Sequence, residues 1–226
     1  NESGCNFLLS KRSVNVQQPG DLCCPGGGSH PWADQILSYF LSTGFLNPFK
    51  GQGFQKAKER DATTFRNISF FLTTALRESW EEIRLNPFLL DFMGPLPCYQ
   101  LKVFRRIIFP LVVRLEKEWT FKPNWEVESI VRLPLDDFFD RKNYARYLLK
   151  VPESLQETIG EDRWEFPCFT PRGENSGEVL WGATYQIIMS FLRIVLGFEV
   201  NEADHTSVIN GYLSPDYFIC SGPQAP

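Results

Sequence analysis

The chain reads as a mixed α+β protein, and three observations predict that class. Helical periodicity and strand-like runs take turns along its 226 residues rather than segregating. A chain of this length buries one sizeable core or two small ones, so a single domain over residues 1–226 is the expectation. With 43% hydrophobic and 22% charged residues, it has the composition of an ordinary globular domain.

In order, residues 7–11 and 21–24 read as strands separated by the Pro19-Gly20 turn. Residues 25–31 form a Gly/Pro loop in which Gly26 and Gly27 let the backbone run close to a ligand. Residues 32–45 have helical spacing through Ile36, Phe40 and Leu41. A turn-rich bridge at 47–54 leads into the basic, polar stretch 56–66, whose neighbouring aromatics predict packing rather than disorder. A helix is expected over 69–85, ending before Pro87. Strands follow at 91–94, 105–115 and 127–132, with a short helix and loop at 136–144. An amphipathic helix over 184–196 turns Ile187, Ile188, Phe191, Leu192 and Val195 inward. Residues 201–226, polar and Pro-containing, read as an irregular tail.

A net charge of −4 argues against a broad nucleic-acid surface, which needs concentrated Lys and Arg; a phosphate-rich small ligand needs only a local basic patch. No run approaches the roughly eighteen apolar residues of a membrane helix, and the best apolar stretch, 107–113, is β-branched like a buried strand. No signal-peptide pattern opens the chain, so an intracellular, cytoplasmic location is expected. The six cysteines, at 5, 23, 24, 98, 168 and 220, lack metal-ligand spacing. Cys23 and Cys24, adjacent on a strand, point to opposite faces and cannot readily bridge each other. Only His30 and His205 could activate a thiol, which leaves free thiols as the better reading.

The most informative stretch is Arg77-Glu78-Ser79-Trp80-Glu81-Glu82-Ile83-Arg84-Leu85. At about 100° per residue, Leu72, Leu76, Ser79 and Ile83 share one face, while Glu78, Glu81 and Glu82 occupy a neighbouring arc. Clustered glutamates repel unless Arg or a cation neutralises them. Carboxylates at i, i+3 and i+4 on a rigid helix offer the hard oxygen ligands that Mg²⁺ and Mn²⁺ prefer. Most acidic helix faces are simply solvated, so the surrounding sequence decides.

That run resembles the second half of the Nudix box, Arg-Glu-U-x-Glu-Glu-x-Gly-U, with U a bulky aliphatic residue. Upstream, Leu8-Leu9-Ser10-Lys11-Arg12-Ser13 and Pro19-Gly20-Asp21-Leu22-Cys23-Cys24-Pro25-Gly26-Gly27 are similar to the signature of the coenzyme A diphosphatase branch. Downstream, Glu126-Val127 leading to Leu133-Pro134-Leu135, and Leu180-Trp181-Gly182-Ala183-Thr184, add two further matches in the right order. Some positions depart from the pattern. Gln17 stands where the branch prefers Arg, the stretch before Gly20 is one residue short, and Cys24 replaces Phe. The box glutamate that should closely precede Arg77 is missing, with Ile68 and Ser69 in its place, and Arg84 occupies the place of the box glycine. Gly27 and Arg77 are some fifty residues apart, far more than the family needs, which implies an insertion at about 32–66. Catalysis then depends on whether that insertion leaves loop and helix in register.

The resemblance implies the Nudix fold, a mixed β-sheet sandwiched between α-helices, and a start upstream of Asn1 that could carry targeting information. It also implies metal-dependent hydrolysis of a nucleoside diphosphate-linked compound. For this branch that compound is coenzyme A or acyl-CoA, cleaved to adenosine 3′,5′-bisphosphate and 4′-phosphopantetheine. Glu78, Glu81 and Glu82 would hold Mg²⁺ or Mn²⁺, with Glu126, or alternatively Glu128, as a further ligand. Glu78 or Glu82 would accept the water's proton, and Arg77 would orient a carboxylate. Lys11 and Arg12 would pair with phosphates beside Gly26 and Gly27, and Lys102, Arg105 and Arg106 form a second basic cluster. Two alternatives stay open: a Nudix hydrolase of ADP-ribose or a dinucleotide, and a Nudix-fold binding protein without turnover. The expected partner is a small-molecule diphosphate, with neither nucleic acid nor membrane, and a homodimer is compatible with the chain.

Overall fold

Alternation buries Leu9 on strand β1 (Asn6–Arg12), which pairs antiparallel with the short β2 (Leu22–Cys23), Lys11 opposite Leu22. Gly20, at φ 79°, makes the left-handed turn between them, and its N–H donates to the Arg12 carbonyl. A computed structural model describes residues 4–41, 51–101, 106–205 and 207–218. The chain divides into two compact units, Asn1–Cys24 with Trp125–Pro226, and Pro25–Asn124.

The second unit begins with α1 (Pro31–Leu41), where Pro31 occupies the first helical position and its missing N–H costs no hydrogen bond. The expected continuation to 45, and the start of the bridge after it, lie outside the described residues. In α2 (Gln52–Arg60) Phe54 and Ala57 are buried, and the Phe54 ring lies 5.1 Å from that of Phe65. Gly53 is required here: a Cβ on it would come within 2.2 Å of the Phe92 carbonyl oxygen. The long α3 (Ala62–Ile83) starts at Ala62 rather than at 69, because Asp61 caps it by accepting the N–H groups of Thr63 and Thr64. The expected stripe is confirmed, with Leu72, Leu76, Ser79 and Ile83 all buried.

Arg84 does not extend α3. It stands just past the end in a left-handed conformation (φ 54°), donating from its N–H to Trp80 O, the bond of an αL cap, while Leu85 N–H donates to Ser79 O. Beyond it, β3 (Leu90–Pro95) pairs with β6 (Leu111–Leu115), and β4 (Tyr99–Leu101) with β5 (Arg106–Ile108), all antiparallel. The single strand expected over 105–115 is therefore two, because Pro110 cannot donate to a ladder.

The first unit resumes with β7 (Val127–Pro134), antiparallel to β1 along its length, giving the sheet order β2-β1-β7. Short 3-10 turns occupy most of 135–143. A second sheet comprises β8 (Tyr144–Lys150), β9 (Arg163–Phe169), β10 (Leu180–Trp181) and β11 (Ser207–Tyr212), with α4 (Glu153–Ile159) between β8 and β9. Its order is β10-β9-β8-β11, and β11 runs parallel to β8. The stretch expected to be irregular from 201 thus contributes a strand.

Helix α5 (Gly182–Leu196) buries Thr184, Tyr185, Ile188 and Leu192, and the last three join Leu9, Val131, Leu133, Phe138 and Phe169 in the core. Val195, expected inward, is 55% exposed: Ile194, Val195 and Leu196 all belong to a last turn that extends past the core. The chain is thus mixed α+β, and the strands among its described residues form four sheets. Among the described residues no helix is long and apolar enough to cross a membrane. Cys5, Cys24, Cys98 and Cys168 carry free thiols.

Candidate functional site

The polar arc of α3 and the Gly-rich loop meet inside the second unit. A Cβ placed on Gly27 would fall 2.2 Å from Glu78 Oε2, so the loop backbone lies directly against that carboxylate. One residue earlier, the Gly26 N–H donates to Glu82 Oε2 at 3.2 Å. Glu78 and Glu82, one helical turn apart, therefore share the side of α3 on which the loop lies.

Arg77 organises the arc from beside it. Its Nε donates to Asp34 Oδ1 at 2.7 Å; its remaining nitrogens lie 2.8 Å from Glu78 Oε1 and 3.1 Å from Glu81 Oε2, and one donates to the Gly28 carbonyl. Asp34 is fully buried and also accepts the His30 N–H at 2.8 Å and the Thr74 hydroxyl at 2.9 Å. Burial alone would raise its pKa, but the bonds from Arg77, His30 and Thr74 outweigh that and hold the carboxyl below the ordinary value. The hydrogen bond to Asp34, with Glu78 adding to it, pushes the guanidinium pKa upward. Glu78 moves the other way from Asp34: burial raises its pKa against the opposing Arg77, and repulsion from Glu81 adds to the rise.

Asp34 gives Arg77 a carboxylate partner that the residues closely preceding it do not supply. Sequence reasoning passes over it because it lies 43 positions upstream, inside the stretch expected to be an insertion. Since α1 carries Asp34 into this cluster, at least the first turn of α1 belongs to the site.

Of the expected metal ligands, Glu78 and Glu82 stand together. The Glu81 side chain is 53% exposed and engaged by Arg77, and Glu126 lies in the first unit, where its carbonyl accepts the Ser13 N–H. Among the described residues no three His, Cys, Asp or Glu side chains gather into a cage. The pair nevertheless suits Mg²⁺, which retains several waters and is held by one or two carboxylates together with substrate phosphates. Charge points the same way, since the Arg77 guanidinium faces three carboxylates, Asp34, Glu78 and Glu81.

Lys11 and Arg12 also belong to the first unit and have internal partners. Lys11 Nζ lies 2.9 Å from Glu178 and 3.3 Å from Glu128, and its pKa is raised chiefly by the Glu178 hydrogen bond. Arg12 Nε donates to the Gln17 carbonyl at 2.6 Å. Lys102 and Arg105 lie outside the described residues, and Arg106 is exposed on β5. No family model matches the chain, and no curated protein matches it significantly.

Proposed function

We propose that the chain is a metal-dependent hydrolase of the Nudix type, acting on a nucleoside diphosphate-linked compound. One observation carries this reading: the Gly26-Gly27 loop lies on Glu78 and Glu82 while Asp34 holds Arg77 beside them. Six residues lie between Gly27 and Asp34, one more than the Nudix box sets between its glycine and its first carboxylate. On this reading Asp34 takes that carboxylate's place, and the inserted residues begin after it rather than at 32. Loop and helix are then in register, the condition on which the resemblance depends.

Glu78 and Glu82 would hold Mg²⁺ or Mn²⁺, with Glu81 adjacent. When bound, such an ion supplies Lewis acidity toward phosphoryl oxygens and lowers the pKa of its water. Arg77 fixes the Glu78 carboxylate from one oxygen, leaving the other toward the loop. Glu78 or Glu82 accepts the proton of the attacking water. The backbone at Gly26 and Gly27, free of side chains, admits a diphosphate close to both carboxylates.

Coenzyme A or acyl-CoA is the substrate that the upstream signature favours. A second reading, ADP-ribose or a dinucleotide, is favoured by Lys11, which already has two carboxylate partners where a phosphate was expected. Incubation with coenzyme A, ADP-ribose and NADH, with Mg²⁺ or Mn²⁺ and identification of products, tests both. Cleavage of any of them that disappears in Glu82→Gln supports the hydrolase reading. Turnover of none in either metal sinks it in favour of a binding protein.

A further inference from the structure

The first unit contains a cavity of about 300 Å³ whose lining includes the rings of Trp181, Tyr212 and Tyr217 and the charged side chains of Lys11, Asp21 and Glu178. The aromatic wall is anchored to the buried carboxyl. Trp181 Nε1 donates to Asp21 Oδ1 at 3.2 Å, the Tyr217 hydroxyl donates to Oδ2, and the Trp181 and Tyr217 ring centroids are 6.3 Å apart. An ionised carboxylate offers about four acceptor positions, so these two bonds leave Asp21 with acceptor capacity to spare.

Lys11 is the only cation of this lining among the described residues, and it is answered twice, by Glu178 and by Glu128. A phosphate entering here would meet two carboxylates and an ammonium that is already paired. An organic cation would meet the reverse, an excess of negative charge beside aromatic rings, the surroundings in which cation–π attraction and ion pairing reinforce one another. We propose that this cavity binds a small organic cation, an ammonium or guanidinium compound, with Glu178 and Asp21 as counter-charges and Trp181, Tyr212 and Tyr217 as the aromatic wall. The pKa of Asp21 agrees: burial, opposed by the Tyr217 and Trp181 bonds and by Arg12, leaves it raised to about 6, and an entering cation supplies the charge partner that burial withholds. Nothing in this inference rests on the hydrolase reading, because its residues belong to the other unit.

The test is calorimetric titration of the full chain at low salt with choline and with agmatine, and with inorganic phosphate as the opposing probe. Saturable binding of at least one cation and none of phosphate is expected. Glu178→Gln should weaken cation binding by about tenfold or more, and Tyr212→Ala, at an exposed ring, should weaken it severalfold with the circular dichroism unchanged. Lys11→Met should strengthen it, since a positive charge leaves the lining. The proposal is overturned if neither cation binds, if cation binding is indifferent to both Glu178→Gln and Tyr212→Ala, or if phosphate binds and Lys11→Met abolishes it.

Discussion

Arg77 donates to Asp34 across 43 positions of sequence, Nε to Oδ1 at 2.7 Å, and Asp34 in turn accepts the His30 N–H and the Thr74 hydroxyl. One carboxylate therefore ties the loop end, the first turn of α1 and the middle of α3 together. Through Arg77 the tie extends to Glu78 and Glu81, so the orientation of the acidic arc is set by a residue far from it in sequence.

Replacing Asp34 by Asn should cost about 2–3 kcal/mol at neutral pH. This falls below the full cost of breaking a buried pair, because Arg77 keeps Glu78 and Glu81. The sign with pH follows from the lowered pKa: the carboxylate's contribution is present above the ordinary Asp value and is lost as pH falls through the depressed one. Urea unfolding at about pH 7 and about pH 3 should show a gap between parent and Asn variant that narrows in acid. An equal gap at both would mean that charge is not what Asp34 contributes.

Gly27→Ala separates fold from site. The added methyl would meet the far end of the Glu78 side chain rather than backbone, so the carboxylate can swing away at little cost to stability. Melting should shift by only a degree or two, while hydrolysis falls at least about tenfold, since even small misplacements of catalytic groups are costly. Undiminished kcat/KM with any substrate that the parent cleaves would show that Glu78 is not needed where it stands.

The elements that carry strong local signals were legible. The apolar stripe of α3, the alternation in β1 and β7, and helix α5, which starts two residues before the expected 184, each follow from residues adjacent in sequence. Gly182 adopts φ 62° with nothing within 4 Å of a would-be Cβ, so conformation rather than close approach requires glycine there. Its neighbour Trp181 is half-buried and hydrogen-bonded to Asp21. Signals that mislead are equally local. Pro167 inside β9 and Asn210-Gly211 inside β11 are poor strand residues, yet Pro167 stands opposite Arg146, and Asn210 and Gly211 stand opposite Leu148 and Leu149. Long-range pairing overrides propensity in both strands. Asp34 was illegible for the same reason, since no local pattern announces a partner beyond an intervening helix.

Arg84→Gly should stabilise the second unit by about 1 kcal/mol. Arg84 holds a left-handed conformation at the position that closes α3, where a side chain with Cβ is strained and glycine is not. The side chain is exposed and contributes a cation–π contact with the Trp80 ring, 5.4 Å from its centroid, worth less than the strain at a wet site. The Trp119 indole bond to the Arg84 carbonyl at 2.8 Å is backbone-based and survives the change. A lower denaturation midpoint in the variant would mean that the side chain, not the conformation, dominates.

Asp21 should make the first unit less stable as pH rises through the mildly acidic range. Its carboxyl titrates in the folded state near 6 rather than 3.8, because burial outweighs the bonds from Tyr217 and Trp181 and the nearby Arg12. Lys11 and Glu178 share its cavity and pair with each other, with Glu128 also on Lys11. A group with a raised folded pKa contributes most below its unfolded value and loses that contribution as pH climbs through the folded one. About two pKa units correspond to roughly 3 kcal/mol lost between about pH 4 and pH 7. Asp21→Asn removes the titration while still accepting from Trp181 Nε1 and donating to the Tyr217 oxygen. The difference in unfolding free energy between parent and Asn variant, measured at intervals over that range, should therefore drift steadily against the parent. A difference that stays constant with pH would show that Asp21 titrates as an ordinary aspartate.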